Sequence, residues 1–295
     1  MNNAIFVAFD HNHWHHFIHL YNSLQENYPD HPILLVHFAG WDTQKIKWLK
    51  SRSDIRFYPT QDISINLVAP GYHKAVPSKL VYYKYLLWTD AYDEYDNILH
   101  LDVDTIVLSP LNKLFEKKDF FIVANNIPFK EVRILPAGKE YKYYIDMNLK
   151  AHNIRQPLHD DMVNAGVFLI PKSYRKKAYL DSLVKITNDF GKLLVYADQS
   201  ALSLWCIKHC IFPSDEYQYN LQPPLFNKFY TRRYKNAINT GSYFSKNKNI
   251  LDTIKIIHFS GPIKPHLDKF RKWRLMGRYA EIFRSCYRRY EGIPR

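Results

Sequence analysis

Two aspartates interrupt an apolar stretch of the chain, Asn97-Ile98-Leu99-His100-Leu101-Asp102-Val103-Asp104-Thr105-Ile106-Val107-Leu108. A run this apolar is typical of a buried strand, in which residues i and i+2 point to the same face. The pattern therefore predicts that Asp102 and Asp104 converge on one point. Two like charges held so close repel unless a cation lies between them, and their oxygens suit Mg²⁺ or Mn²⁺. The alternative is a strand end where one aspartate caps the next helix and the other is solvated.

The composition is that of a globular protein of 295 residues, with 46% hydrophobic and 23% charged residues. A chain of this length forms one large domain, or one domain with an appendage. The net charge of +13 predicts anionic partners, namely nucleic acid, an anionic membrane or a phosphorylated substrate. The three cysteines, Cys206, Cys210 and Cys286, argue against a disulfide scaffold and favour a reducing compartment.

The chain enters a strand-like run directly after Met1-Asn2-Asn3, which predicts that no signal peptide is present. No run approaches the roughly 18 apolar residues that a membrane-spanning helix needs. The sequence therefore predicts a soluble or peripheral protein.

Strand-like and helix-like segments alternate through the first part of the chain, which is typical of a nucleotide-binding α/β sheet. Strands are expected at 4–9, 32–38, 54–58, 97–108, 120–124, 163–170 and 256–259. Helices are expected at 17–24, 43–50, 78–92, 179–190 and from 198 onward. Gly166 lies inside one of these strands, where a glycine often marks the close approach of another group.

Asp10 and Asn12 follow the first strand, and the residues alone leave two interpretations open. In one they form a loop and a helix N-cap. In the other they meet a nucleotide, because open α/β sheets bind ligands at the carboxyl ends of their strands.

Six motifs in order along the chain resemble those of glycosyltransferase family 8, the GT-A family of glycogenin and lipopolysaccharide galactosyltransferases. They are Ala8-Phe9-Asp10-His11-Asn12, Tyr82-Tyr83-Lys84, Asp102-Val103-Asp104, Asn164-Ala165-Gly166-Val167, Asp198-Gln199 and His258-Phe259-Ser260-Gly261-Pro262-Ile263-Lys264-Pro265. Each motif is short, but six of them in the order of the family form a specific pattern that covers most of the chain.

The resemblance implies a GT-A fold, an α/β architecture with a Rossmann-like, mixed but mostly parallel central sheet flanked by helices. The expected catalytic domain covers residues 1–266. Its nucleotide-binding half is 1–124 and its acceptor and sugar half is 125–266. Residues 267–295 would then form a C-terminal basic amphipathic helical tail.

The resemblance also implies the residues that hold the cation and the donor. Asp102, Asp104 and His258 would bind a divalent cation on the donor diphosphate, and the imidazole ligand favours Mn²⁺ over Mg²⁺. Other residues would contact a UDP-sugar donor: Ala8, Asp10, Asn12, Lys84, Val103, Ala165, Gly261 and Lys264. Among these, Gly261 lets the backbone approach phosphate, and Lys264 adds a cationic contact to it.

The reaction that the resemblance implies is transfer of a hexose, glucose or galactose, from the UDP-sugar to a saccharide with retention of anomeric configuration. Asn164, Asp198 and Gln199 would surround the sugar and its reactive carbon. A double displacement needs a carboxylate nucleophile, for which Asp198 is the candidate, although Gln199 can lie nearer the carbon. Front-face attack without a covalent intermediate is equally open.

Three positions depart from the family pattern. Lys84 replaces the usual arginine, so that a bidentate contact becomes a point charge. His266 stands where a tryptophan is usual, and Asn125-Asn126 where relatives often place an acidic residue on the donor sugar. These departures leave the identity of the sugar open more than the chemistry.

The tail carries nine lysines and arginines against three acids within residues 267–295. Its apolar residues recur at 3-4-3-4-3 spacing: Trp273, Met276, Ala280, Phe283, Tyr287 and Tyr290. Such a helix can lie on an anionic membrane and meet a lipid-linked acceptor, such as a surface glycolipid, lipopolysaccharide or polysaccharide. The alternative is a helix that packs this stripe on the domain and leaves its charges solvated.

Other functions compete with this interpretation. A GT-A-fold protein without activity would bind glycans or nucleotides, and another transferase would use a different nucleotide-sugar donor. A nucleic-acid-binding protein would explain the charge but leaves the six motifs unexplained, so no nucleic-acid partner is expected. The expected location is the cytoplasm, with peripheral attachment to the inner face of the cytoplasmic membrane through the tail.

Overall fold

The computed structural model describes residues 1–59, 79–124, 146–155, 162–191, 197–222, 253–259 and 285–292. Several sequence predictions fall outside these ranges. They include the two loop residues Gly261 and Lys264, Asn125-Asn126, His266, and the tail up to residue 284.

A six-stranded sheet forms the centre of the described structure. Its strands are β1 (Asn3–Asp10), β2 (Ile33–Ala39), β3 (Ile55–Pro59), β4 (Asn97–Leu101), β6 (Phe121–Ala124) and β7 (Val163–Pro171). They lie in the order β3-β2-β1-β4-β7-β6. The first four run parallel, while β7 pairs antiparallel with β4 and with β6. The expected mixed, mostly parallel α/β sheet is therefore confirmed.

Helices cover both faces of this sheet. The helices α1 (Trp14–Asn27) and α2 (Thr43–Lys50) pack on one face. A 3₁₀ segment (Lys79–Trp88), α4 (Lys177–Phe190) and α5 (Ala197–Lys208) pack on the other. A short α3 (Asn112–Phe115) lies between β5 (Thr105–Val107) and β6 in the chain. Burial on both faces explains why the central strands are apolar throughout rather than alternating.

The two aspartates do not lie on one continuous strand, which corrects the expectation for residues 97–108. The chain leaves β4 at Leu101, turns, and enters β5 (Thr105–Val107). The turn is closed by the amide of Thr105, which donates to the carbonyl oxygen of Asp102 at 3.1 Å. β5 then pairs with β8 (Ile256–His258) in a separate two-stranded sheet. The turn, and not strand alternation, aims both carboxylates at one point.

The helix expected over residues 78–92 is of a different type where it is described. Residues 79–88 form a 3₁₀ helix, and a second short one covers Asp90–Tyr92. Its aromatic residues, Tyr82, Tyr85 and Trp88, are buried in the core. A 3₁₀ helix rises further per residue than an α-helix, so the 3-4-4 apolar spacing identified a helix but not its geometry.

Two further observations concern covalent and membrane structure. All three cysteines are free thiols, with Cys206 and Cys286 buried and Cys210 exposed. Among the described residues, no helix combines the length and the apolarity needed to cross a bilayer.

Candidate functional site

Three potential metal ligands meet where the β4–β5 turn faces the end of β8. The carboxylates of Asp102 and Asp104 come from the turn, and the ring of His258 comes from the last residue of β8. Their ligand atoms all lie within 4.8 Å of one another. The His258 Nε2 atom is 3.2 Å from Asp104 Oδ1 and 3.7 Å from Asp102 Oδ2. Two carboxylates and an imidazole suit a divalent cation of the Mn²⁺ type, so the residues present fit the expected metal.

Gly166 of β7 lies directly behind this cluster and leaves room for it. A Cβ atom at this position would lie 2.1 Å from His258 Cε1 and 2.9 Å from Asp102 Oδ2. The amide of Asp102 also donates to the Gly166 carbonyl oxygen at 2.7 Å, which fixes the turn against β7. The close approach expected from a glycine inside this strand is therefore confirmed.

Lys84 is a buried cation that joins the cluster to α5. Its ammonium group contacts Asp198 Oδ2 at 2.8 Å, Asp102 Oδ1 at 3.2 Å and the carbonyl oxygen of Ala165 at 3.0 Å. An ammonium has three hydrogens, so protein acceptors take up all of them. In this geometry Lys84 holds the carboxylates of Asp102 and Asp198 close together.

Burial and this cation control the charges of the neighbouring groups. Burial acts to lower the pKa of Lys84, but Asp102 and Asp198 outweigh it and raise the pKa above its ordinary value. Burial likewise acts to raise the pKa of Asp102, yet the Lys84 charge and the hydrogen bond from His100 hold it well below its usual range. For Asp198, burial prevails and raises the pKa. The described site therefore carries ionised Asp102 beside ionised Lys84.

His100 is a site residue that the motif comparison did not identify. Its Nε2 atom lies 2.9 Å from Asp102 Oδ1, and burial followed by the charge of Lys84 lowers its pKa to about 4. The ring is therefore neutral at pH 7, and its Nε2–H donates to the carboxylate. The sequence held a signal for it, since His100 precedes Asp102 by two residues at the end of a strand.

A network of three amides lies on the other side of His258. The side chains of Asn164 and Asn220 are both buried, and each places its Oδ1 atom near His258 Nδ1, at 3.1 and 3.2 Å. Asn220 Nδ2 donates to Asn164 Oδ1 at 2.9 Å, and Asn164 Nδ2 donates to Gln199 Oε1 at 3.3 Å. No local sequence pattern around Asn220 distinguishes it from other loop asparagines, and the sequence interpretation missed it.

The end of β1 carries the capping interaction that the residues alone left open. The Asp10 carboxylate accepts hydrogen bonds from the amides of Asn12 and His13, at 3.0 and 3.2 Å. It also lies 2.7 Å from His13 Nδ1. Ala8 precedes it on β1, next to β4 in the sheet. Capping leaves the nucleotide interpretation open, because it uses only one oxygen of the Asp10 carboxylate.

The structure thus brings most of the expected site residues to one edge of the sheet. Asp102, Asp104, His258, Lys84 and Asp198 form one connected cluster, to which Asn164 and Gln199 are hydrogen-bonded. At the end of β1, the strand next to β4, lie Ala8, Asp10 and Asn12. Val103 lies in the β4–β5 turn. Ala165 contacts Lys84 through its carbonyl oxygen. Gly261 and Lys264 lie outside the described residues.

The described end of the C-terminal tail packs on α1. Tyr287 and Tyr290 are buried, and the Tyr287 hydroxyl lies 2.5 Å from His16 Nδ1. Asn22 donates to the carbonyl oxygens of Tyr290 and Gly292, at 2.9 and 2.8 Å. These last two members of the tail's apolar stripe therefore face the domain, as in the alternative interpretation of the tail.

The sequence was compared with protein-family models. The model described as Glycosyl transferase family 8 matches residues 4–269. No protein with a curated description matches the sequence.

Solved structures of glycosyltransferases resemble the fold. One is the galactosyltransferase LgtC in complex with donor and acceptor sugar analogues, with 19% identity, coverage of 99% of this chain and 97% of that chain, and a TM-score of 0.63. GlyE of Streptococcus pneumoniae TIGR4 has 18% identity, coverage of 97% and 60%, and a TM-score of 0.53. Mouse xyloside xylosyltransferase 1 has 13% identity, coverage of 90% and 100%, and a TM-score of 0.57. At these identities the likeness concerns the fold alone.

Proposed function

Because this chain belongs to glycosyltransferase family 8, we propose that it is a metal-dependent retaining enzyme that transfers a hexose from a UDP-sugar to a saccharide acceptor. The observation that carries the proposal is the cluster of Asp102, Asp104 and His258, joined through Lys84 to Asp198. A cation site beside a buried carboxylate provides one place for a diphosphate and another for the sugar attached to it.

The cation would be held by Asp102, Asp104 and His258, with Mn²⁺ favoured over Mg²⁺ by the imidazole ligand. When bound, a divalent cation neutralises the charge that develops on a diphosphate leaving group. The protein itself supplies the orientation of the three ligands. Lys84 and His100 restrain Asp102, Gly166 clears the space, and the buried amides restrain His258.

The sheet order supports a nucleotide site between β1 and β4. In the order β3-β2-β1-β4 the chain progresses outward from β1 on one side and resumes at β4 on the other. Ligands of open α/β sheets bind outside the carboxyl ends of the strands at such a switch point. The uridine and ribose site would then be lined by Ala8, Asp10 and Asn12 on one side and by Val103 and Ala165 on the other. Gly261 and Lys264 would contact the phosphates.

Retention of configuration allows two routes at Asp198. In a double displacement its carboxylate attacks the anomeric carbon as the bond to UDP breaks and UDP leaves. The acceptor hydroxyl then attacks the same carbon, loses its proton and releases the carboxylate. In front-face attack, Asp198, Gln199 and Asn164 only position the sugar. The contact with Lys84 at 2.8 Å holds the Asp198 carboxylate in place in either case. Mass spectrometry of protein quenched with donor alone separates the routes, since only the first leaves a hexosyl group on Asp198.

The proposal is tested by measuring UDP release from a panel of UDP-sugars with Mn²⁺, with Mg²⁺ and with EDTA. We expect Mn²⁺-dependent release from one sugar, with loss in EDTA. Replacing Asp104 with asparagine removes a charged ligand and should lower the rate by about 100-fold or more. Asp181→Asn, on the exposed surface of α4, is the matched control and should leave it unchanged. UDP release that survives both EDTA and Asp104→Asn would contradict the metal dependence. Binding of UDP without turnover would favour an inactive binding protein.

For the acceptor, we propose a saccharide on a surface glycolipid, lipopolysaccharide or polysaccharide, approached from the membrane through the basic tail. Tyr287 and Tyr290 of the apolar stripe are buried against the domain. The contact with the membrane would therefore be made by the basic residues that precede them in the tail. Replacing Arg271, Lys272, Arg274 and Arg278 with glutamine removes four charges and leaves residues 285–292 in place. At about 1 kcal/mol per charge, partitioning onto anionic liposomes should fall by a factor of roughly 10³. Neutral liposomes are the control, and equal binding of both proteins to anionic liposomes would end the proposal.

A further inference from the structure

The orientation of His258 depends on a residue that belongs to none of the six motifs. Asn220 lies in the segment that runs beside β8, because the amide of His258 donates to the Leu221 carbonyl oxygen at 2.8 Å and the amide of Leu221 donates to Ile256 at 3.0 Å. These backbone bonds place the Asn220 side chain against the His258 ring. Both side chains are nearly inaccessible to solvent.

The contacts determine which ring nitrogen of His258 carries a hydrogen. Nδ1 faces two amide oxygens, Asn164 Oδ1 at 3.1 Å and Asn220 Oδ1 at 3.2 Å. Amide oxygens only accept hydrogen bonds, so Nδ1 must be the protonated nitrogen. The lone pair of Nε2 is then available on the side of Asp104 and Asp102, where a cation would lie.

The orientation of the Asn220 amide is itself fixed. Its Nδ2 donates to Asn164 Oδ1 at 2.9 Å, which directs its own Oδ1 to His258. Asn164 cannot turn its oxygen away, because that atom also accepts from the amide of Gly166 at 2.9 Å. A backbone amide on β7 therefore sets the direction of both side-chain amides, and through them the ring.

We propose that Asn220 is a positioning residue that holds His258 in the Nδ1–H tautomer, with Nε2 directed to the divalent cation. The proposal rests on the proposed cation site, because it assigns Asn220 a role in shaping that site. Partners of this kind fix the tautomer and the ring plane of metal-binding histidines, and their removal typically weakens metal binding 10- to 100-fold.

The test is Mn²⁺ affinity by isothermal titration calorimetry on the full-length protein without donor. Asn220→Leu keeps the approximate volume but removes the acceptor and the donor, and we expect a 10- to 100-fold weaker dissociation constant for Mn²⁺. Asn97→Leu is the matched control, since Asn97 is a buried asparagine at the opposite end of β4. Its Mn²⁺ affinity should stay within about twofold of the parent protein. Affinity in Asn220→Leu equal to that of the parent would overturn the proposal.

A second measurement is made on the parent protein itself. Nitrogen-15 NMR of the cation-free parent protein, with the His258 signals assigned by comparison with His258→Gln, reports the tautomer directly. We expect a protonated Nδ1, and a neutral ring protonated only at Nε2 would overturn the proposal. If the parent protein binds no Mn²⁺, the cation site fails, while the NMR result still tests the Nδ1–H tautomer. If it binds Mn²⁺ and Asn220→Leu binds equally, only the role of Asn220 fails.

Discussion

Replacing Gly166 with alanine should lower the affinity for Mn²⁺ and the rate of UDP release by about 100-fold or more. The added Cβ would lie 2.1 Å from His258 Cε1 and 2.6 Å from His258 Nδ1, far inside van der Waals contact. His258 cannot move back freely, because its Nδ1 atom is hydrogen-bonded to both Asn164 and Asn220. It must move toward the two carboxylates or displace Asp102, and either shift breaks the arrangement of the three ligands.

The control for this variant separates site distortion from loss of stability. Overpacking at Gly166 should lower the free energy of unfolding by about 1–3 kcal/mol. Val167→Ala should have a cost of similar size, because Val167 is fully buried among apolar residues on the other face of β7. Val167→Ala should nevertheless bind Mn²⁺ normally in calorimetry. Normal Mn²⁺ binding by Gly166→Ala would show that His258 and Asp102 are not ligands in this geometry.

Replacing Lys84 with methionine should have the largest effect on stability, lowering the free energy of unfolding by about 3–5 kcal/mol in urea denaturation. Methionine preserves most of the side-chain volume, so the change removes mainly the charge. The carboxylates of Asp102 and Asp198 would lose the cation that both contact. An uncompensated buried carboxylate is costly, which is why the loss exceeds the net contribution of the ion pair.

Two variants give this measurement its controls. Lys177→Met removes the charge of an exposed pair with Asp181 on α4 and should change the free energy of unfolding by less than about 1 kcal/mol. The double variant Lys84→Met/Asp198→Asn also removes one of the two unpaired carboxylate charges. It should therefore recover part of the lost free energy of unfolding. A cost for Lys84→Met no greater than that for Lys177→Met would contradict the role assigned to the buried ammonium.

The sequence predicted the parallel half of the sheet because that half follows local rules. The strands β1, β2 and β4 are mostly apolar runs between turn residues, and strands joined by helices pair in parallel. The role of Gly166 could also be predicted from its immediate neighbours, since a glycine inside an apolar strand indicates that another group approaches the backbone closely. The family motifs added His258 to the two aspartates, a connection that local patterns alone could not have made.

The parts that sequence reasoning missed depend on contacts between distant segments. Asn220 meets His258 across 38 positions and Asn164 across 56, and nothing in its neighbours indicates this. Nothing in the sequence indicated the acceptors that surround Lys84, which come from β7, α5 and the β4–β5 turn. The turn at Asp102 was read as a strand, because apolar residues on both sides conceal where the chain changes sheets.

The packing of residues 285–292 on α1 changes how the basic segment before them can work. Phe259 leaves β8 beside Asp104, to whose carbonyl oxygen its amide donates at 2.9 Å, and its ring centroid is 5.3 Å from that of Tyr287. The described residues on either side of 260–284, Phe259 and Tyr287 among them, therefore lie at neighbouring points on the domain. Under the proposed attachment through the basic residues, an anionic surface would therefore hold the enzyme close to the cluster of Asp102, Asp104 and His258. Such attachment would set the angle between the surface and the sheet edge that carries this cluster. It would thereby set the distance from the surface at which an acceptor is bound.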